Sequence, residues 1–303
     1  MERRSRLEVV SAKEEVREPA HTPEAVIAEI LSLIQNVAVL PQVIGQIVEA
    51  TGDTEGHVAR LERAILVDPG FSTMLLAQAN SAFFALPKKV TSIREAVMFI
   101  GFKGVRKIAM TVGAFDLFIG KTDSGSLRRR HWWRQSLETA LFCQVVAPSI
   151  EQVKADEAYT CGLLHLLGKT LLDRFDGEKY QKVQAAVDQG APDVLAERAV
   201  FNCDHVQLAG AAAEKWRFPE VLILGLNYFT PTRESSPTNN LRATVALGSK
   251  VVRYLGSGLS VAQIDSNLIP AWILETLDLT DNRLKSLIFA GVAGLEAAST
   301  MVA

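Results

Sequence analysis

The sequence predicts an all-α fold on three observations: apolar residues recur with helical spacing, capping residues precede the apolar runs, and no run alternates as a strand would. The clearest apolar stripe consists of Ile27, Ile30, Leu31 and Ile34, spaced i, i+3, i+4 and i+7. This spacing places the four side chains on one face of a helix. We therefore expect many short helices packed around two cores.

Helix starts are marked by a capping residue followed by proline. Thr22 precedes Pro23 and Asp68 precedes Pro69, and proline is favoured at the first helical position. Asp68 should accept hydrogen bonds from the N–H groups of the first turn. Farther on, helices are predicted near residues 130–149, 156–175, 179–189, 191–202, 204–216, 219–229, 240–255, 270–278 and 281–298, with a loop over 230–240.

A capping box and two glycines divide the region after residue 90. Ser92 and Glu95 stand three residues apart, the spacing at which both side chains satisfy N–H groups at a helix start. That helix should end near Gly101, and the next should begin near Gly104. The GFKG segment could also approach a phosphate, but it lacks the P-loop spacing, so a helix–turn–helix break is the favoured interpretation.

Composition and charge exclude several classes of protein. The chain has 303 residues, of which 48% are hydrophobic and 22% charged, so it is not disordered throughout. A net charge of −2 gives no overall field that attracts nucleic acid or an anionic membrane. Three cysteines without a CxxC pair favour a reducing compartment. We predict a cytoplasmic protein without a cofactor, a membrane-spanning segment or a nucleic-acid partner.

The chain is predicted to have four parts. Residues 1–20 mix acidic and basic side chains and are expected to form a flexible tail. The GKTDSG segment at 120–125 separates an N-terminal helical subdomain, residues 21–120, from a second helical subdomain, residues 126–255. Residues 256–303 are expected to add C-terminal helices.

Seven short motifs lie one after another across roughly residues 30–255, and their order and spacing together are more specific than any one of them. They read LP at 40–41, VDP at 67–69, LAQANSAFF at 76–84, VTSI at 90–93, WRQS at 133–136, GLLHLLGK at 162–169 and DH at 204–205. Together they resemble the HDOD family, the HD-related output domain of bacterial signalling proteins. The resemblance implies an N-terminal helical subdomain and a degenerate HD-type subdomain.

The resemblance also indicates where an HD-type metal site would lie. An HD phosphohydrolase needs an early His, a His-Asp pair and a later Asp around divalent cations. Gln135 replaces the first His and Leu166 replaces the Asp of the pair, whereas His165 and Asp204–His205 persist. Leucine has no lone pair and an amide is a poor ligand, so we predict neither metal binding nor catalysis. A metal-dependent phosphohydrolase acting on a nucleotide or cyclic dinucleotide is the alternative.

Two residues near this site have more than one interpretation. His165 is either a hydrogen-bonded core histidine, which is favoured, or a weak metal or anion ligand together with His205. Lys169 follows His165 by four residues on the same predicted helix face. It either binds a phosphate as a point charge or, the favoured interpretation, is a solvated lysine at a helix end.

The segment 80–92 is the predicted partner-binding surface, because loops on a rigid scaffold are where recognition tends to lie. On the alternative interpretation, Phe83 and Phe84 pack between the subdomains and the lysines are merely solvated. The candidate binding residues of the segment are Asn80, Ser81, Phe84, Lys88 and Lys89.

The basic and aromatic run at 128–134 could bind single-stranded nucleic acid. The favoured interpretation is a core Trp133 flanked by solvated arginines. We therefore predict a non-catalytic signalling output or adaptor protein. It would bind a protein partner, or alternatively a nucleotide, and could form a homodimer.

Overall fold

Every regular element in the part of the chain that the structure describes is a helix, which confirms the all-α prediction. The computed structural model describes residues 22–34, 55–66, 69–81, 84, 86–119, 123–231 and 234–298. Short 3₁₀ turns lie at Ala147–Ser149 and Val261–Gln263. The helices are α1 Pro23–Ile34, α2 Glu55–Leu66, α3 Pro69–Ala79, α4 Ile93–Ile119, α5 Ser126–Val146, α6 Ala155–Leu164, α7 Leu167–Phe175, α8 Gly177–Asp188, α9 Asp193–Phe201, α10 His205–Lys215, α11 Glu220–Leu226, α12 Pro237–Gly256, α13 Ala271–Thr276 and α14 Asp281–Ala298.

The first predicted helix start has the expected geometry. Helix α1 begins at Pro23, and the Thr22 hydroxyl oxygen accepts a hydrogen bond from the Ala25 N–H at 3.3 Å. Helix α3 begins at Pro69, as the proline predicts. Asp68, the predicted cap of α3, lies outside the described residues.

Helix α4 has a break where the glycine pattern predicts one. Gly101 adopts φ 75° and ψ 164°, a conformation that side chains with a Cβ atom rarely reach. The helix resumes directly after Gly101, so GFKG is a kink within α4 and the second segment begins two residues before the predicted Gly104. At the start of α4, the Ser92 hydroxyl accepts from the Glu95 N–H at 3.1 Å. The Glu95 carboxylate accepts from the Thr91 N–H at 2.9 Å.

The buried apolar side chains form one contiguous core, so the prediction of two separate cores is wrong. The physical reason is the long helix α4, which contacts α2 and α3 as well as α5 and so joins the N-terminal helices to the rest of the core. Helix α5 is central, because α4, α6, α12 and α14 all contact it. Helix α1 packs on α7 and α10, and the Lys215 ammonium donates to the Leu31 carbonyl at 2.8 Å.

The predicted helix over 156–175 is two helices in the structure. Helices α6 and α7 are separated by a turn at His165–Leu166. The turn could not be recognised from the apolar pattern, because both of its residues are buried like those on either side. The predicted loop over 230–240 ends early, since Ser236 caps α12 by accepting from the Asn239 N–H at 3.2 Å.

Across the described ranges, no helix combines the length and the apolar character that crossing a membrane requires.

Candidate functional site

A cavity of about 150 Å³ lies among α5, α7, α10 and α12. It brings together five residues that the sequence analysis singled out although they are far apart in the chain. Their shared cavity is the candidate functional site. They are Gln135, His165, Leu166, Lys169 and His205.

His165 lies in the turn between α6 and α7, with 1% of its surface exposed. Its Nδ1 atom is 2.7 Å from the Gly162 carbonyl oxygen, and its Nε2 atom is 3.1 Å from the Ser249 hydroxyl. A carbonyl oxygen only accepts, so Nδ1 carries the hydrogen and Nε2 accepts from Ser249. His165 is thus a hydrogen-bonded core histidine, and its Nε2 lone pair is already used.

His205 is held in the same way by different partners. Its Nδ1 atom donates to Glu197 Oε2 at 2.6 Å, and its backbone N–H donates to the same oxygen at 2.9 Å. Its Nε2 atom is 2.9 Å from the Tyr228 hydroxyl. With the ring hydrogen on Nδ1, the Nε2 atom is the acceptor and the Tyr228 hydroxyl donates to it. Burial, together with the nearby carboxylate of Glu197, raises the pKa of Tyr228 well above its ordinary value, so this hydroxyl stays protonated. The Nε2 lone pair of His205 is therefore used as well.

Glu197 is fully buried beneath His205 and also accepts from the Tyr180 hydroxyl at 3.0 Å. Burial alone would raise the pKa of Glu197. Its interaction with His205, which includes the hydrogen bonds from the ring and from the backbone N–H, outweighs burial and holds the pKa of Glu197 below its ordinary value. Glu197 therefore acts as a carboxylate that fixes the orientation of the His205 ring.

Lys169 is not the solvated helix-end lysine that the sequence analysis favoured. It is the third residue of α7, is 7% exposed, and pairs with Asp193. The error arose because the predicted helix over 156–175 divides at residues 165–166, which places Lys169 at a helix start. Arg253 binds the other oxygen of Asp193 at 2.5 Å. Burial would raise the pKa of Asp193, but the two cations outweigh burial and lower it.

Lys250 lines the same cavity and is half-buried. Among the described residues its ammonium group has no hydrogen bond and no ion pair within 4.0 Å. Burial, with a contribution from the nearby charge of Arg253, lowers the pKa of Lys250. The cavity therefore contains a cation for which the described part of the chain provides no counter-ion at ion-pair distance.

The sequence analysis missed the hydrogen-bonding partners in this site. Glu197 does carry a signal, because with Val194 and Phe201 it occupies the i, i+3 and i+7 positions of an apolar helix face. Lys250 and Arg253 are neighbours at i, i+3 on α12, which suggests a positively charged face. Nothing in the sequence alone connects these residues to His165 or His205.

Within the described part of the chain, no three His, Cys, Asp or Glu side chains meet in an arrangement that could hold a metal ion. The persisting Asp204 has a structural partner set instead. Its side chain accepts from the Val206 and Gln207 N–H groups at the start of α10, and Arg198 binds it at 2.6 Å.

The described residues of the segment 80–92 do not contribute to the cavity. Asn80 donates to the Val90 carbonyl and accepts from the Val90 N–H, both at 2.8 Å, so it closes the base of the loop. The Ser81 N–H continues the turn by donating to the Gln78 carbonyl. Phe84 is partly buried against the core. These three residues therefore have structural contacts with the loop, with the end of α3 or with the core.

The two lysines of this segment are on the surface. Lys88 pairs with Glu95 at 2.7 Å and lies 5.5 Å from the centre of the Phe99 ring, whereas Lys89 is exposed. Phe83 lies outside the described residues. Partner binding at this segment stays a prediction.

The arginines of the run at 128–134 are not all solvated, so that part of the prediction is wrong. Arg129 is 1% exposed and binds Asp173 at 2.6 Å, and Arg128 binds the other oxygen of Asp173 at 2.6 Å. Trp132 is buried, and Trp133 packs partly buried against the core. Two of the charges that could attract nucleic acid are therefore neutralised inside the protein.

His165 should make the stability of the fold depend on pH. Burial, with smaller contributions from the neighbouring His205 and Lys169 and against the effect of the Gly162 hydrogen bond, lowers the pKa of His165 to about 3. The unfolded chain binds a proton near pH 6.5 and the folded chain does not until about pH 3. Stability is therefore complete above about pH 6.5 and is lost as the pH falls, by up to about 1.4 kcal/mol per pH unit.

The test is urea unfolding of the wild type and of His165→Asn between about pH 7 and about pH 4. Asparagine does not titrate, so the pH dependence of the wild type should be steeper by up to one proton. Equal slopes for the two proteins would contradict the assignment.

The sequence of this chain matches a family model and a protein from another organism. The family model described as HDOD domain matches residues 37–229. Over 257 residues the chain is 26% identical to an uncharacterised protein of Treponema pallidum (strain Nichols). The match covers 82% of this chain and 48% of the relative, so the chain spans about half the length of that protein.

Solved structures share the fold. A candidate phosphohydrolase from Shewanella amazonensis SB2B matches with a TM-score of 0.68 at 23% identity, covering 90% of this chain and 98% of that one. An HDOD domain protein of unknown function from Geobacter sulfurreducens matches with a TM-score of 0.67 at 20% identity, covering 92% and 96%. A candidate signal transduction protein from Marinobacter aquaeolei VT8 matches with a TM-score of 0.65 at 18% identity, covering 92% and 65%.

Proposed function

The chain belongs to the HDOD family, and from that premise we propose that it is a signal-transduction module that acts by binding and not by catalysis. The observation that supports this most strongly is that both imidazoles already accept hydrogen bonds from the protein. The Nε2 atoms of His165 and His205, the lone pairs that a metal would need, accept from the Ser249 and Tyr228 hydroxyls.

A metal ion would also lack its negative ligands here. Leu166 stands where the bridging carboxylate of an HD pair would be, and Gln135 offers a neutral amide. Lys169 and Lys250 line the same cavity, and their positive charges oppose a divalent cation. The phosphohydrolase alternative would have to overcome each of these costs.

The proposed activity is therefore recognition of another molecule by a helical scaffold. We propose that the partner is a protein of a bacterial signalling pathway and that the interaction takes place in the cytoplasm. HDOD membership and the fold shared with a candidate signal transduction protein support this assignment.

The test of catalysis is hydrolysis of cyclic dinucleotides and of bis(p-nitrophenyl) phosphate in the presence of Mn²⁺, Mg²⁺ or Fe²⁺. We expect no turnover above that of a His165→Ala control, because no carboxylate is placed to bridge and hold the metal. Metal-dependent turnover that the control lacks would overturn the proposal and favour the phosphohydrolase.

A further inference from the structure

We propose that the cavity binds the phosphate group of a small molecule directly, without a metal, and that Lys250 is its principal contact. The inference deepens the proposed function and rests on it, because it treats the cavity as a recognition site. It concerns residues that the HD-type positions do not include.

The side chains that line the cavity carry an excess of positive charge. The cavity is lined by Lys169, Lys250 and Arg253 and by a single carboxylate, that of Asp193. Asp193 binds both Lys169 and Arg253, so the lining side chains carry two positive charges in excess. Glu197 lies behind the His205 ring and its hydrogen bonds are directed to His205 and Tyr180. A phosphate group carries a charge of about −1.5 to −2 near pH 7, which matches this excess.

The half-buried ammonium group of Lys250 lacks a compensating anion among the described residues. Withdrawing an ammonium group from water costs free energy unless an anion compensates for it. Within the described residues no acid lies within ion-pair distance of Lys250, although Asp193 satisfies the two cations beside it. The lowered pKa of Lys250 is consistent with a cation whose counter-ion comes from outside the chain.

Hydrogen-bond donors reach the cavity from several helices. The amide of Gln135 on α5 lines the cavity and can donate. Gln184 on α8 also lines it, and its amide nitrogen, which donates to Asp188 at 2.8 Å, has a second N–H. The backbone N–H of Lys169 at the start of α7 already donates to the Leu166 carbonyl at 3.1 Å. Donors therefore approach from α5, α8 and α12, as recognition of several phosphate oxygens requires.

The size of the site favours a small phosphate ester. A cavity of about 150 Å³ holds a phosphate group and little more, so the remainder of a larger ligand would extend through the opening. Phe229 lines the cavity with 43% of its surface exposed. Its ring offers a surface on which the organic part of a phosphate ester can pack.

The experiment is isothermal titration calorimetry of the full chain in EDTA, with inorganic phosphate in one arm and adenosine monophosphate in the other. The variants are Lys250→Gln, which removes the charge, and Lys250→Arg, which keeps it. Lys285→Gln is the matched control, because Lys285 is an exposed lysine on α14 that does not line this cavity. Thermal unfolding without ligand verifies that each variant folds.

We expect saturable binding by the wild type in at least one arm, weakened at least about tenfold by Lys250→Gln. Lys250→Arg and Lys285→Gln should bind within about twofold of the wild type. Because no described residue pairs with Lys250, its replacement leaves no described partner unpaired, and Lys250→Gln should unfold at the same or a higher temperature without ligand. Binding of inorganic phosphate indicates that the phosphate group is sufficient. Tighter binding of adenosine monophosphate than of phosphate indicates that the site also contacts the organic part of its ligand.

Two results would overturn the inference: no binding with a Kd below about 1 mM in either arm, or equal binding by the wild type and Lys250→Gln. Because EDTA removes divalent metals, neither result bears on the hydrolysis assay. The hydrolysis assay therefore tests the proposed function independently of this titration.

Discussion

Asp173→Ala is expected to lower the free energy of unfolding by about 3–5 kcal/mol, because it leaves a buried guanidinium without its buried carboxylate. Asp173 is fully buried, and its two oxygens bind Arg128 and Arg129, each at 2.6 Å. The remaining carboxylate on Arg129 belongs to Asp123, whose side chain is half exposed. Urea unfolding followed by circular dichroism measures the change.

Two further proteins separate the loss of the ion pair from the loss of volume. The double variant Arg129→Met with Asp173→Leu replaces the charges by apolar side chains and should recover most of the lost stability. Glu138→Ala removes an exposed ion pair with Arg134 and should change stability by no more than about 1 kcal/mol. A single variant Asp173→Ala as stable as Glu138→Ala would show that the pair is not structural.

Glu197→Leu should have an effect of similar size, about 3–5 kcal/mol, for a different reason. The carboxylate accepts from the Tyr180 hydroxyl, the His205 ring and the His205 backbone N–H. Leucine fills the space but leaves these buried donors without an acceptor, at about 1–3 kcal/mol each. Unfolding in urea, monitored by tryptophan fluorescence, measures the loss.

Glu197→Gln is the matched variant, because its amide oxygen can still accept from part of this set. It should be clearly more stable than Glu197→Leu. If the two variants were equally destabilised, the cost would arise from packing and not from the unsatisfied donors.

The helices could be predicted from the sequence because their starts are local. Thr22 with Pro23, and Ser92 with Glu95, act within a few residues of themselves, and a positive φ at Gly101 needs only the missing Cβ atom. The turn at residues 165–166 could not be predicted, because burial on both sides of it removed the polar residues that usually mark a turn.

The location of the site could be predicted only through the family resemblance, which placed Gln135, His165, Leu166 and His205 together. The chemistry of the site depends on partners that are distant in sequence. Ser249 is 84 residues from the imidazole that it binds. Spacing along the chain carries no information about such a contact, so only the fold reveals that the lone pairs of His165 and His205 are used.

The buried charges were misjudged for the same reason. Arg129 and Lys169 look solvated in sequence, because charged side chains usually are. Their acids, Asp173 and Asp193, lie 44 and 24 residues away. The fold brings Arg129 on α5 to Asp173 on α7, and Lys169 on α7 to Asp193 at the start of α9.

Direct titration of the metal-free protein with Mn²⁺, in which electron paramagnetic resonance counts the free ion, tests most directly whether the HD-type positions have lost their metal site. We expect no site with a Kd below about 1 mM, because both Nε2 lone pairs are used and Leu166 replaces the bridging carboxylate of the HD pair. One tightly bound Mn²⁺ per chain, absent from His165→Ala, would contradict it.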